Sequence, residues 1–316
     1  MLFTQHLNNF NCIVVLGVTA SGKTNFACKL AHELNGSIIS ADSRQVYKQL
    51  TIGTGKDLNE YNINGNKINY YGIDVCDADK QFYLHNFCDL LLLSFNKITN
   101  DNKLPIICGG TGLYLDALVK NFELTQIPEN YIIRSELKNK SKDDLIKLLA
   151  NYNFENTLHV DKNSIKRLIR GIEVAEYLKS NTITKSILPY KPIYFGIKVN
   201  ANESENLIKT RLISRLNNGL IEEVETLLKN NISFDRLLQL GLEYKFIAMY
   251  LQSKIDYQSL IIQLQTAIIK YSKRQLTWFK KMEKEGVIIN WIEKENLTSV
   301  TLNNIINSIK KAKPIN

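Results

Sequence analysis

Gly17-Val18-Thr19-Ala20-Ser21-Gly22-Lys23-Thr24 fits the pattern G-x-x-x-x-G-K-[ST], and the residues on either side supply the setting that pattern needs. Cys12 to Leu16 is a continuous apolar run rich in β-branched side chains, which predicts a buried strand, and Thr24 to Leu34 carries apolar residues at helical spacing. Strand, glycine-bounded turn and helix in that order aim backbone N–H groups at phosphate oxygens, with the positive end of the helix dipole behind them. Lys23 adds a point charge, and the Thr24 hydroxyl would face a magnesium ion. A chance match is the competing reading, and the strand–turn–helix setting stands against it. The loop alone does not say which phosphorylated compound it holds.

Working outward, Ser37 to Ser40 reads as a second short strand that ends in Ala41-Asp42-Ser43-Arg44-Gln45-Val46-Tyr47. Asp42 therefore sits at the carboxyl end of a strand beside the one that feeds the loop, where open α/β sheets bind ligands. A carboxylate there binds magnesium, caps the next helix or accepts a proton from an attacking amine, and spacing leaves all three open. Leu84 to Ile98 predicts an amphipathic helix and Pro105 to Cys108 a buried strand. Gly109-Gly110-Thr111-Gly112-Leu113-Tyr114 then returns a third loop to the same edge, the alternative being a turn needed only for packing. Alternating strands and helices predict a P-loop-type α/β core, a parallel sheet covered by helices. Asn121 to about Pro189 shows helical patterns and no convincing strand, Tyr194 to Val199 rejoins the sheet, and long helices follow at Glu203 to Lys229 and Tyr257 to Lys284. The expected organisation is a catalytic core of residues 1–120 and 190–316 with a helical insertion domain at 121–189.

The chain has 316 residues, 44% of them apolar, which suits a folded globular protein and excludes a disordered or fibrous one. Forty Lys plus Arg against 31 Asp plus Glu give a net charge of +9, which favours a polyanionic partner, although a biased genome produces the same usage. Five scattered cysteines without a C-x-x-C pair speak against a zinc site or a disulfide framework. His6, His32, His85 and His159 show no ligand spacing. With no signal-peptide pattern and no apolar run of membrane-spanning length, a cytoplasmic protein that works off the membrane is expected.

Taken in order, GVTASGKT, DSRQVY, GTGK at Gly53 to Lys56 and GGTGLY resemble the tRNA dimethylallyltransferase (tRNA isopentenyltransferase) family. Lys166 to Val174, Arg211 to Val224, Gly241 to Lys245 and Arg274 to Phe279 extend the resemblance, which spans roughly residues 12 to 282. It implies transfer of a dimethylallyl group from dimethylallyl diphosphate to the N6 amine of the adenosine next to the anticodon. The loop then holds that diphosphate instead of ATP, with Mg2+ on the phosphates and no redox cofactor.

By the same resemblance Asp42 is the general base and Thr19 contacts the diphosphate near the breaking bond. Gly17, Ala20, Ser21, Gly22, Lys23 and Thr24 hold the diphosphate, with Thr24 also on the metal. Arg215 is favoured over Arg211 as the diphosphate arginine, Lys103 is a lesser candidate, and a solvated face paired with Glu222 or Glu223 is the alternative. Asp42, Ser43, Arg44 and Gln45 would hold the flipped adenine. Thr111, Arg134, Lys166, Arg167, Leu168, Ile169, Arg170, Lys245 and Arg274 complete the expected tRNA contacts. Lys166 and Arg170 fall four apart, opposite the apolar stripe Ile165, Leu168, Ile169 and Ile172, so the helix packs one face and offers cations on the other. Lys270, Arg274, Thr277 and Lys281 form a second stripe, while Trp278 and Phe279 read as core.

Val18 departs from the proline usual after the first loop glycine, which removes no donor. The zinc-finger extension of some eukaryotic relatives has no cysteine pairs here. The rival readings are a small P-loop kinase, a prenyltransferase acting on free AMP, and a nucleotide-switched RNA-binding protein. The missing apolar-run-then-Asp motif opposes the kinase, the basic insertion opposes free AMP, and Asp42 in its setting opposes the switch. A monomer is the expected state.

Overall fold

The computed structural model describes residues 9–120, 122–152, 160–183 and 187–312. They form two compact units, one made of residues 1–119 and 189–316 and the other of residues 120–188.

In the first unit, β1 (Cys12–Gly17), α1 (Lys23–Glu33) and β2 (Gly36–Ala41) follow one another as strand, helix, strand. A small hairpin, β3 (Asn62–Ile63) with β4 (Asn66–Lys67), precedes the two-residue strand β5 (Tyr70–Tyr71), α2 (Leu84–Asn100), β6 (Leu104–Gly109) and α3 (Gly112–Asp116). In the second unit lie α4 (Tyr131–Leu137), α5 (Lys142–Ala150) and α6 (Ile165–Leu178). The first unit resumes with β7 (Pro192–Lys198), α7 (Ala201–Asn217), α8 (Leu220–Lys229), α9 (Phe234–Leu240), α10 (Leu242–Leu251), α11 (Tyr257–Lys284), β8 (Ile289–Glu293) and α12 (Ser299–Ala312).

The six-stranded sheet has the order β5-β2-β6-β1-β7-β8, and every neighbouring pair is parallel. Val14 lies opposite Ile107 on one side and Tyr194 on the other. Every residue of β1 and β2 is buried, the pattern of strands covered on both faces. Phe26, Leu30 and Ala31 of α1 pack with Ile305, Ile306 and Ile309 of α12 over Ile13, Ile38 and Ile106. A second cluster joins α7 to α11 through Leu212, Val224, Leu237, Leu240, Ile247, Leu260 and Leu264. Because β1, β2 and β6 are parallel and in register, Gly17, Ala41 and Gly109 end at one edge and deliver three loops to one place.

The sequence predicts one helix from Glu203 to Lys229, and the structure divides it into α7 and α8. Gly219 stands at the break with φ 96°, a left-handed conformation that glycine adopts without a Cβ penalty. The strand Ile289–Glu293 and the helix after it were not foreseen.

The regular secondary structure among the second unit's described residues is all helical, with Leu137, Leu145, Leu149, Leu168 and Ile172 as its core. At its heart is Glu173, 2% exposed. Its carboxylate accepts from Arg134 Nε and Nη2 (both 3.0 Å), from Arg170 Nη1 (2.8 Å) and from the Asn130 amide (2.5 Å). Burial works to raise the Glu173 pKa, but these donors outweigh it and hold the carboxyl below its ordinary value.

Candidate active site

The phosphate loop runs from the end of β1 into the first turn of α1. Ala20 (φ 61°) and Gly22 (φ 85°) give it a left-handed path, an uncommon conformation for a residue with a Cβ such as Ala20. Ser21 is buried beneath the loop, its amide donating to the Val18 carbonyl (3.3 Å). Lys23 folds back so that Nζ lies 3.3 Å from the same carbonyl oxygen. Burial lowers the Lys23 pKa from its ordinary value; Cys108 and Asp42 oppose that shift and Arg211 adds to it. A desolvated cation with one neutral partner is stabilised when an anion enters.

The loop after β2 begins with Asp42. Its Oδ1 accepts from the amides of Arg44 (2.8 Å) and Gln45 (3.3 Å), while Oδ2 has no hydrogen-bond partner among the described residues. One oxygen therefore caps the turn and the other is unengaged. Gln45 Oε1 accepts from Ser40 Oγ (2.8 Å), and its Nε2 donates to the Gly55 carbonyl (3.0 Å). From the loop after β6, Thr111 Oγ1 accepts the Ser43 amide at 3.0 Å.

A further wall comes from α7 and α10. The Arg215 side chain is only 13% exposed; its Nη1 donates to the Gly53 carbonyl (3.3 Å) and to Glu243 Oε1 (3.4 Å), and its buried Nη2 has no partner among the described residues. Burial, then repulsion from Arg211, lowers the Arg215 pKa. Glu243 is buried too, and its pKa is raised by that burial against the pull of Arg215. Arg211 pairs with Asp57 at 3.2 Å. An orphaned guanidinium nitrogen in a cavity wall is a ready contact for an anion with two or more acceptor oxygens.

Together these loops enclose a cavity of about 670 Å3, within the size range of small-ligand sites. Thr19, Ala20, Gly22, Lys23, Thr24, Asp42, Ser43, Arg44, Gln45, Arg215 and Arg274 all line it, with Gly17 at the root of the loop. Lys103 is not brought here. It precedes the first residue of β6, whereas Gly109 at the other end of that strand lines the cavity, and a strand of that length separates them by roughly 20 Å. Lys245 is exposed on α10 beside the Phe246 ring and does not line the cavity.

Within the helical unit, Lys166 and Arg167 are exposed, and Arg167 pairs with Asp161 at 2.7 Å. Leu168 is 0% exposed and belongs to the core, so its side chain offers no outward contact; Ile169 is half-buried against the same core. The expectation that Arg170 shares an outer basic face with Lys166 is corrected. Its guanidinium turns in to Glu173 and to the carbonyls of Leu124 (3.1 Å), Ile127 (2.6 Å) and Pro128 (3.4 Å), because a buried carboxylate one turn away requires a countercharge. Arg134 is likewise engaged, with Glu129 (2.7 Å) and Glu173.

Two residues at the site carry roles that the sequence did not suggest. Glu223, which the sequence offered only as one alternative partner for the α7 arginines, accepts from the amides of Thr51 (2.9 Å), Ile52 (2.6 Å) and Gly53 (3.1 Å) and from Tyr244 Oη (2.8 Å). Gln275 of α11 bonds to both the phosphate loop and the loop after β6. No local pattern marks either role, since each depends on loops far away in the chain.

The IPP transferase family model matches residues 45–282. The chain is 44% identical over 308 residues to tRNA dimethylallyltransferase 1 of Azobacteroides pseudotrichonymphae genomovar. CFP2, covering 96% of this chain and 99% of that relative. It is 43% identical to tRNA dimethylallyltransferase 2 of Treponema denticola, covering 92% and 99% respectively. Among solved structures, the tRNA delta(2)-isopentenylpyrophosphate transferase of Staphylococcus epidermidis superposes with a TM-score of 0.68 at 29% identity, covering 96% of this chain and 99% of that one. With the phosphate loop, Asp42 and Arg215 converging on one cavity, and relatives matched over nearly their full length, this chain belongs to the IPP transferase family, that of the tRNA dimethylallyltransferases.

Proposed function

We propose that this chain transfers a dimethylallyl group from dimethylallyl diphosphate to the N6 amine of the adenosine next to the anticodon of tRNA. The observation that carries this reading is the meeting, in one cavity, of a phosphate loop, an unengaged Asp42 oxygen and the orphaned Arg215 Nη2. The N6 lone pair attacks the allylic carbon, the carbon–oxygen bond to diphosphate breaks with its electron pair, and the amine proton passes to Asp42. Lys23, the Thr19 hydroxyl and Arg215 meet the charge growing on the leaving diphosphate. Ser43, Arg44 and Gln45 receive the adenine, which must leave its stack to reach the cavity.

Magnesium fits as an ion carried on the substrate. The described residues contain no cluster of three His, Cys, Asp or Glu that would hold a metal, while Thr24 lines the cavity together with Cys108. Diphosphate oxygens and waters would supply most ligands, with Thr24 as the protein ligand. When bound, the ion supplies positive charge to the departing diphosphate. No described helix is long and apolar enough to cross a membrane, and we expect a cytoplasmic monomer that meets tRNA in solution.

Radiolabelled dimethylallyl diphosphate, offered with magnesium to unmodified tRNA and to AMP, tests the reading. Label in tRNA alone supports it, label in AMP moves the chain to nucleotide prenylation, and ATP hydrolysis without transfer returns it to the kinases.

A further inference from the structure

Tyr271 and Gln275 lie four residues apart on α11 and therefore share a face. Gln275 is 6% exposed and uses both ends of its amide: Oε1 accepts the Thr19 N–H at 2.9 Å, and Nε2 donates to the Gly110 carbonyl at 2.9 Å. One turn earlier Tyr271 lines the cavity, and Thr111, next to Gly110 in the chain, accepts the Ser43 amide on its Oγ1. One helix face thus ties the phosphate loop to the loop after β6 and, through Thr111, to the loop that carries Asp42. The approach is close enough to require glycine at position 110. A Cβ there would strike the Gln275 amide nitrogen and stand 2.9 Å from the Gly17 carbonyl oxygen. Gln275 also occupies the Thr19 N–H, so at Thr19 the hydroxyl is the donor left for a ligand.

We propose that Gln275 is a positioning residue for prenyl transfer, fixing the separation between the loop that holds the leaving diphosphate and the loops that hold the accepting adenine. The inference rests on the function proposed above. Transfer requires the amine nitrogen and the allylic carbon to meet about 3 to 3.5 Å apart and in line, and a misplacement of about 1 Å costs on the order of 100-fold in rate. The two substrates sit on loops that follow different strands, and a buried side-chain amide bonded to both is a spacer of fixed length. Binding of either substrate alone does not need the loops in register. Loss of the spacer therefore lowers the rate of transfer and leaves each separate affinity in place.

The test compares the native chain with Gln275→Met, which keeps length and removes both hydrogen bonds, and Gln275→Asn, which keeps the amide and loses the span. Single-turnover transfer should fall roughly 30- to 100-fold in both. Dissociation constants for dimethylallyl diphosphate alone and for unmodified tRNA alone should stay within about 3-fold of native. A native rate in folded Gln275→Met, or a loss carried wholly by diphosphate affinity, overturns the proposal. Should Gln275→Met fail to fold, Gln275→Asn alone carries the test, since it keeps a buried amide and shortens only the span. A fall in kcat at constant KM then supports the spacer, and no change overturns it. Failure of the native chain itself to label tRNA would instead sink the proposed function, an outcome distinct from any of these.

Discussion

Asp42 commits one carboxylate oxygen to the Arg44 and Gln45 amides and leaves the other unengaged, so Asp42→Asn keeps the cap and removes the base. We expect kcat to fall about 100-fold or more, with diphosphate affinity within about 2-fold of native. Turnover near the native rate would take Asp42 out of the chemistry. Lys23→Ala should act oppositely, on binding. A charge-assisted hydrogen bond contributes about 1.5 to 3 kcal/mol, so the dissociation constant for dimethylallyl diphosphate should rise on the order of 10- to 100-fold by titration. An unchanged constant would place the diphosphate on another wall. Lys23 was legible in the sequence because phosphate-loop chemistry is local: eight consecutive residues hold the whole pattern. Glu223 and Gln275 were not, because a carboxylate gathering the Thr51 to Gly53 amides, or an amide joining Thr19 to Gly110, acquires its role only when distant loops arrive.

At the scale of elements, strands with continuous apolar runs and helices with strong periodicity were readable, and β6 and α11 appear within a residue of their expected limits. The two-residue β5 and the half-buried β8 were missed, since neither carries an apolar run long enough to be told from a loop. In α6 the periodicity was right but the fate of one side chain was not. Arg170 falls on the polar side of the stripe, yet the buried Glu173 draws it inward. Because the Glu173 pKa is lowered in the folded state, its stabilising contribution is fully present above the ordinary glutamate value of about 4.3 and is lost as pH falls through the lowered native value. Hydrogen-exchange protection of the α6 amides should accordingly drop below about pH 4, and Glu173→Gln should flatten that dependence. Protection constant across that range would show that the cluster contributes little.

For the whole molecule, a charge of +9 gains meaning from where the cations stand. Lys166, Lys270 and Arg274 are exposed, whereas Arg134 and Arg170 are taken up inside the helical unit. Charge reversal should separate the two groups. Lys166→Glu should weaken tRNA binding and reduce the slope of log affinity against log salt by about 0.7 to 0.9 for each phosphate no longer neutralised, with thermal stability kept. Arg170→Glu should lower the melting temperature first, since it sets a second carboxylate beside Glu173. Equal salt slopes for Lys166→Glu and the native chain would remove that helix from the tRNA-binding surface.

The central position of β1 has a consequence for the order in which the protein can be made. One side of β1 pairs with β6, but the other waits for β7, which begins at Pro192. At about 5 to 20 residues per second, a ribosome needs roughly 10 to 40 s to travel from the end of β1 to the end of β7. During that interval β2, β6 and β1 can assemble as a half-sheet whose last strand is apolar along its entire length and open to any other extended chain. The helical unit also precedes β7 in the chain and closes its own core without it, so a nascent chain halted with residue 188 just clear of the ribosome would hold a finished helical unit and an unfinished, adhesive sheet.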